Sequence, residues 1–142
     1  MKKIALFIII SILYAFVPIV AQNKRMSPDE FQAKQKAFII EEAKLTPEEA
    51  ARFFPLFFKL QAIKKAFMDK GWKSMRSLRD GNASESKYAQ AVIQMYDSHI
   101  ATDKLDRLYL SKYARILPYS KIYKIMHAEM DFHRQMLRSF HH

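Results

Sequence analysis

The chain has 142 residues, no cysteine, and 24 basic against 14 acidic side chains, giving a formal charge of +10. Without cysteine there are no disulfides, no thiol chemistry and no residue to carry a lipoprotein's lipid. Gly71 and Gly81 are the only glycines, and neither lies in a loop that could cradle a phosphate, which excludes an ATP- or dinucleotide-binding motif.

The chain begins Met1-Lys2-Lys3, runs apolar from Ile4 to Val17, and reaches Pro18-Ile19-Val20-Ala21 before the polar Gln22. A basic start, a short apolar stretch and a small residue at the cut predict a secretory signal peptide removed after Ala21, and hence a periplasmic protein. The rival is an uncleaved anchor, because Ile4 to Val20 approaches the ~20 residues that span a bilayer. Pro18 and Ala21 favour cleavage. Loss of residues 1–21 leaves 121 residues with a formal charge of +8, since Lys2 and Lys3 go with them. That length suits one domain with a modest core. Outside the cell interior, a basic surface meets anionic lipid, cell-wall polymer or acidic unfolded chains rather than nucleic acid.

Strand-like alternation is missing and helix starts and stops are frequent, so the mature chain reads as all-α with four amphipathic helices. The first is expected from Ser27 to about Lys44, with Ser27, Pro28 and Glu30 forming a capping box and Phe31, Phe38 and Leu45 facing inward beside Ile39. The second starts at Leu45-Thr46-Pro47-Glu48-Glu49, where Thr46 and Glu49 form another capping box, and runs to about Arg79 before the stop at Gly81-Asn82. Its inner stripe is Phe53, Leu56, Phe57, Leu60, Ile63, Phe67 and Leu78. Pro55 lies off that stripe and is expected to bend the helix around the core, and Gly71 to weaken it by ~1 kcal/mol relative to alanine. The third helix, from Ser84 to about Ile116, turns Tyr88, Val92, Met95, Tyr109, Leu110 and Tyr113 inward. The fourth, from Pro118 to about Phe140, aligns Ile122, Ile125, Met126, Phe132, Met136, Leu137 and Phe140.

The second helix carries more apolar circumference than one buried stripe requires. Rotated away from the core stripe are Phe54, Phe58, Met68 and Trp72, set among Lys65, Arg76 and Arg79. Such a face could grip unfolded clients, with aromatic and Met side chains for adaptable contact and basic groups to attract acidic segments. It could equally be covered by the first helix or a second subunit.

The motif at 45–49 has a partial echo in Leu117-Pro118-Tyr119-Ser120-Lys121. The chain resembles the Spy/CpxP family, whose signature is a repeated LTxxQ motif, over about Met26 to Phe140; the segment Lys121 to Leu137 is also similar to the stretch after the second motif in that family. Glu49 stands at the first glutamine position, and Ser120 and Lys121 end the second copy. The resemblance implies a curved helical-hairpin protomer, an antiparallel cradle-like homodimer, and ATP-independent handling of unfolded or misfolded envelope proteins. Envelope-stress regulation with a membrane sensor or regulator is also implied. The family includes periplasmic metal responders, so a zinc sensor is the alternative function.

For that alternative, Glu129 and His133 at i and i+4 interrupt the apolar stripe of the fourth helix, as His99, Thr102 and Asp106 interrupt that of the third. Facing each other, His99, Asp106, Glu129 and His133 would make an oxygen/nitrogen set suited to zinc. Internal pairing, or pairing with an arginine such as Arg52, is the competing and favoured expectation, and no cofactor is required. His127, His141 and His142 have no fixed spacing. Nothing assembles the acids, histidines and serines into a catalytic arrangement, so no enzyme activity is expected.

Overall fold

A computed structural model describes residues 26–139, so the segment expected to be a signal peptide and the expected inward Phe140 lie outside the described residues. The described residues are all-helical, with α1 (Pro28–Ala43), α2 (Pro47–Arg76), α3 (Glu85–Tyr113) and α4 (Tyr119–Ser139), and no strand among them. No helix among them is long and apolar enough to cross a membrane.

The starts of α1 and α2 are determined locally, whereas Ser84 makes no side-chain cap bond at the start of α3. Ser27 Oγ accepts the Glu30 amide at 3.1 Å while Glu30 Oε2 accepts the Ser27 amide at 3.0 Å, and Thr46 and Glu49 repeat the exchange at 3.2 and 2.9 Å. Each box satisfies two amides that a helix terminus otherwise leaves unpaired. Lys44, in the left-handed region at φ 51°, closes α1 and turns the chain towards Leu45. The Glu49 carboxylate also forms an ion pair with Lys121, at the start of α4. That bond, with the Thr46 amide, holds its pKa below the usual carboxylate value. One side chain thus caps α2 and ties the first turn of α4 to it.

The close helix pairs are α2 with α3 and α1 with α4. The first pair is an antiparallel hairpin. Phe53 meets Tyr113, with ring centroids 4.8 Å apart, Lys64 meets Asp106, and the Gly71 backbone meets Ser98. In the second pair, Phe31 and Phe38 of α1 flank Phe132 of α4 at 5.2 and 5.8 Å. The core lies where the pairs join and includes Ile39, Leu45, Phe53, Phe54, Phe57, Leu60, Tyr109, Tyr113, Leu117, Ile122 and Ile125.

Towards the far end of the hairpin the contact is made by small residues. A Cβ on Gly71 would come within 2.9 Å of Ser98 Oγ and 3.2 Å of Met95 Sδ, and Ala91 and Ser98 are buried. Gly71, expected only as a weak point in the helix, is a place where α3 packs directly on the α2 backbone, too close for a Cβ. Several side chains expected inside are instead exposed, namely Phe67, Val92, Met126 and Leu137. Ala91, Ser98, Thr102 and Ala128 take the buried places on α3 and α4, and Gln35 is buried on α1.

Candidate functional site

The second face of α2 divides at the point where α1 ends. Sixteen residues make α1 about 24 Å long, whereas the 30 of α2 extend about 45 Å. Running back along α2, α1 places Lys36 over the Phe54 ring at 5.4 Å, and its first turns form a shallow recess with Phe58 and Lys65. Phe54 is therefore core, at 2 % exposure, and Phe58 is half-buried. Among the described residues, the cover that α1 gives this face stops beyond Lys65. Trp72 is 50 % exposed, Met75 is exposed beside it and Met68 is half-buried. Arg76 and Arg79 are exposed, and Lys65 pairs with Asp69 one turn along the helix. Of the seven residues singled out for client contact, Phe54 is buried, Phe58 is half-buried and Lys65 stands at the edge of the recess under α1, while Met68, Trp72 and Arg76 follow along α2 and Arg79 lies just past its end.

The polar interruptions of α3 and α4 meet only in part. Asp106, Glu129 and His133 line one cleft between α2, α3 and α4, while His99 is exposed and its carbonyl accepts the Thr102 hydroxyl within α3. Each carboxylate in the cleft has a partner from α2. Lys64 donates to both Asp106 oxygens at 2.7 and 2.8 Å, and Gln61 Nε2 donates to Glu129 Oε1 at 2.7 Å. Arg52, the expected partner, is exposed. Burial raises the Glu129 pKa against the opposing pull of the Gln61 bond and the Lys64 charge. His133 packs at ring distances of 6.0 and 6.1 Å from Phe31 and Phe132. Among the described residues no three histidine, cysteine or acidic side chains gather closely enough to hold a metal ion. A chelator is expected to leave the melting temperature unchanged; a fall on chelation, reversed by zinc, would contradict this.

The cleft has a volume of about 450 Å³. Its floor is apolar; Tyr113 lines it as well, but its hydroxyl is sealed from the open space and has no hydrogen-bond partner among the described residues. Desolvation, reinforced by the Glu129 and Asp106 charges, drives the Tyr113 pKa upward, so the group stays a neutral phenol. The cleft exists because α3 lies close to α2 and α4 lies close to α1, leaving a gap between the pairs over Phe53 and Phe57.

Two outward stripes were not anticipated in the sequence. On α4, Tyr119, Tyr123, Met126 and Met130 are exposed at spacings of four, three and four, with Leu137 further along. On α3, Val92, Ile93, Tyr96 and Ile100 are exposed on the outer side of the hairpin. The spacings are visible in the sequence, but they coincide with those of a buried stripe. Comparison of the chain with protein-family models, curated proteins and solved structures gives no match.

Proposed function

We propose that this is an exported, ATP-independent chaperone or envelope-stress adaptor that binds unfolded protein on the uncovered length of α2 around Trp72. The observation that carries this reading is the half-exposed Trp72 beside Met68 and Met75, bordered by Lys65, Arg76 and Arg79 on a helix that outruns its cover. Apolar contact would hold a client, and the cations would speed its arrival and favour acidic segments. Two further features support the Spy/CpxP resemblance. The fifth residues of the two motif copies, Glu49 and Lys121, bond each other across the join of α2 and α4. Pro55 sits on the exposed side of an unbroken α2, the placement that curves a helix around its core. A homodimer formed over the exposed stripes completes the proposal, with a membrane sensor or regulator as a further partner and no role for nucleic acid.

The test is suppression of client aggregation by the purified mature protein without nucleotide, run with and without zinc. Suppression independent of zinc supports the chaperone; none without zinc and full suppression with it would favour the metal responder. Export carries its own expected outcome. Mass spectrometry of the envelope fraction should find Gln22 as the first residue, and a retained Met1 would overturn the cleavage.

A further inference from the structure

The cleft between α2, α3 and α4 is built on Phe53 to Lys64 of α2, before the stretch around Trp72, and its walls are sorted by chemistry. Phe53, Phe57, Leu60, Leu110, Ile122 and Ile125 give it an apolar floor, and the exposed Met126 and Met130 stand at its mouth. Gln61, Lys64, Asp106, Glu129 and His133 are its polar and charged lining. We propose that this cleft binds a small organic cation with an apolar body, an alkylammonium in type, its positive head group held by the Glu129 carboxylate.

Size and lining give the first argument, because about 450 Å³ lies within the ~300–1,000 Å³ usual for small-molecule sites and the walls are mainly apolar with few polar groups. The second is charge. Lys64 bonds both Asp106 oxygens, so those two charges cancel. With His133 unprotonated, the ionised Glu129 leaves the cleft one net negative charge, on a chain with 24 basic against 14 acidic side chains. The third is the hydrogen-bond account of that carboxylate. Gln61 takes Oε1 at 2.7 Å, whereas Oε2 accepts no bond among the described residues and, unlike the Tyr113 hydroxyl, is not sealed from solvent. Glu129 lines this cleft and not the recess under α1, which places the carboxylate at the cleft wall. Burial works against its ionised form, and a cation beside it supplies the compensation that water gives elsewhere. An anion would meet Glu129 with Lys64 already committed to Asp106, and a neutral head group would forgo the charge-assisted bond. The flexible thioethers at the mouth can adjust to the shape of the apolar body.

The experiment titrates the purified protein with octylammonium, 1-octanol and octanoate at about pH 8, above the ordinary carboxyl range and below that of an alkylamine, while tracking ¹³C-labelled methionine methyl resonances. Octylammonium should shift the Met126 and Met130 methyls saturably and leave those of Met68 and Met75 in place. It should bind about 10-fold more tightly than octanol or octanoate, the worth of a charge-assisted hydrogen bond. The positive charge of the whole chain favours octanoate, so a preference for the cation must arise at a local carboxylate. Glu129→Gln keeps the side-chain shape and an acceptor for Gln61 but removes the charge. It should weaken octylammonium binding about 10-fold and leave octanol binding unchanged, whereas a merely structural loss weakens both. The proposal is overturned if octylammonium gives no saturable shift at Met126 and Met130, moves all four methyls alike, or binds no more tightly than octanol or octanoate. It also fails if folded Glu129→Gln binds octylammonium unchanged, or loses octylammonium and octanol equally. The head-group comparison uses the unaltered chain, so it decides the matter if Glu129→Gln does not fold.

Discussion

Phe53→Ala should lower the melting temperature more than truncation of any other aromatic side chain on α2. Phe53 is fully buried, and its ring lies 4.8 to 5.4 Å from those of Tyr113, Phe54 and Phe57, joining α3 to α2 at the base of the hairpin. Truncating a buried phenylalanine costs about 3–5 kcal/mol, against a total stability of ~5–15 kcal/mol for a domain. At roughly 3–6 °C per kcal/mol for a chain of this size, the midpoint should fall by about 10–25 °C. The adjoining cleft makes the upper part of that range the better expectation, since an opening beside the deleted ring resists collapse. Phe67→Ala is the control. Its ring is 40 % exposed, so the shift should be only a few degrees. Thermal unfolding monitored by circular dichroism decides the matter, and equal shifts for the two variants would contradict the assigned core.

The features legible in the sequence are mostly local. The capping boxes at Ser27 and Thr46 each satisfy their bonds within four residues, so they declare a helix start whatever the rest of the chain does. The buried Phe53, Phe57, Leu60, Ile122 and Ile125 follow from helical spacing alone. Pairing is not legible in this way, because an apolar stripe does not specify which neighbour covers it. That choice rests on small residues such as Gly71, Ala91 and Ser98, which let two backbones approach and which a reading by hydrophobicity overlooks. Once α3 settles on them, Val92 is turned outward, and α4 closing on α1 through Phe132 leaves Met126 and Leu137 outward in the same way. The extra face of α2 is visible as a pattern. Its division between Phe58 and Met68 depends on where a shorter helix ends, which no pattern within α2 reveals. The cleft is half legible: Asp106, Glu129 and His133 stand out as polar interruptions, but their partners Gln61 and Lys64 are unremarkable on an exposed-looking turn of α2.

Trp72→Ala and Arg76→Glu are expected to abolish most client protection while sparing the fold. Trp72 is half in solvent, so its truncation removes little from the core. As the largest apolar group on the uncovered face it has the character of an interface hot spot, worth ~2 kcal/mol or about 30-fold in affinity. Arg76→Glu changes the local charge by two beside Arg79 and Lys73, so it should slow encounter with acidic clients, an effect that fades as salt shortens the screening length to about 10 Å at 0.1 M. A purely structural Trp72 behaves differently, since losing a buried tryptophan costs ~3–5 kcal/mol and would appear as a lower melting temperature or a split dimer. The most direct test of the account is light scattering of an aggregating client at low salt, with the unaltered protein and the two variants compared at equal concentration. The account predicts strong suppression by the unaltered protein, little by Trp72→Ala or Arg76→Glu, and helicity and melting temperatures within a few degrees of one another. Full suppression by both variants, folded and unchanged in oligomeric state, would contradict it.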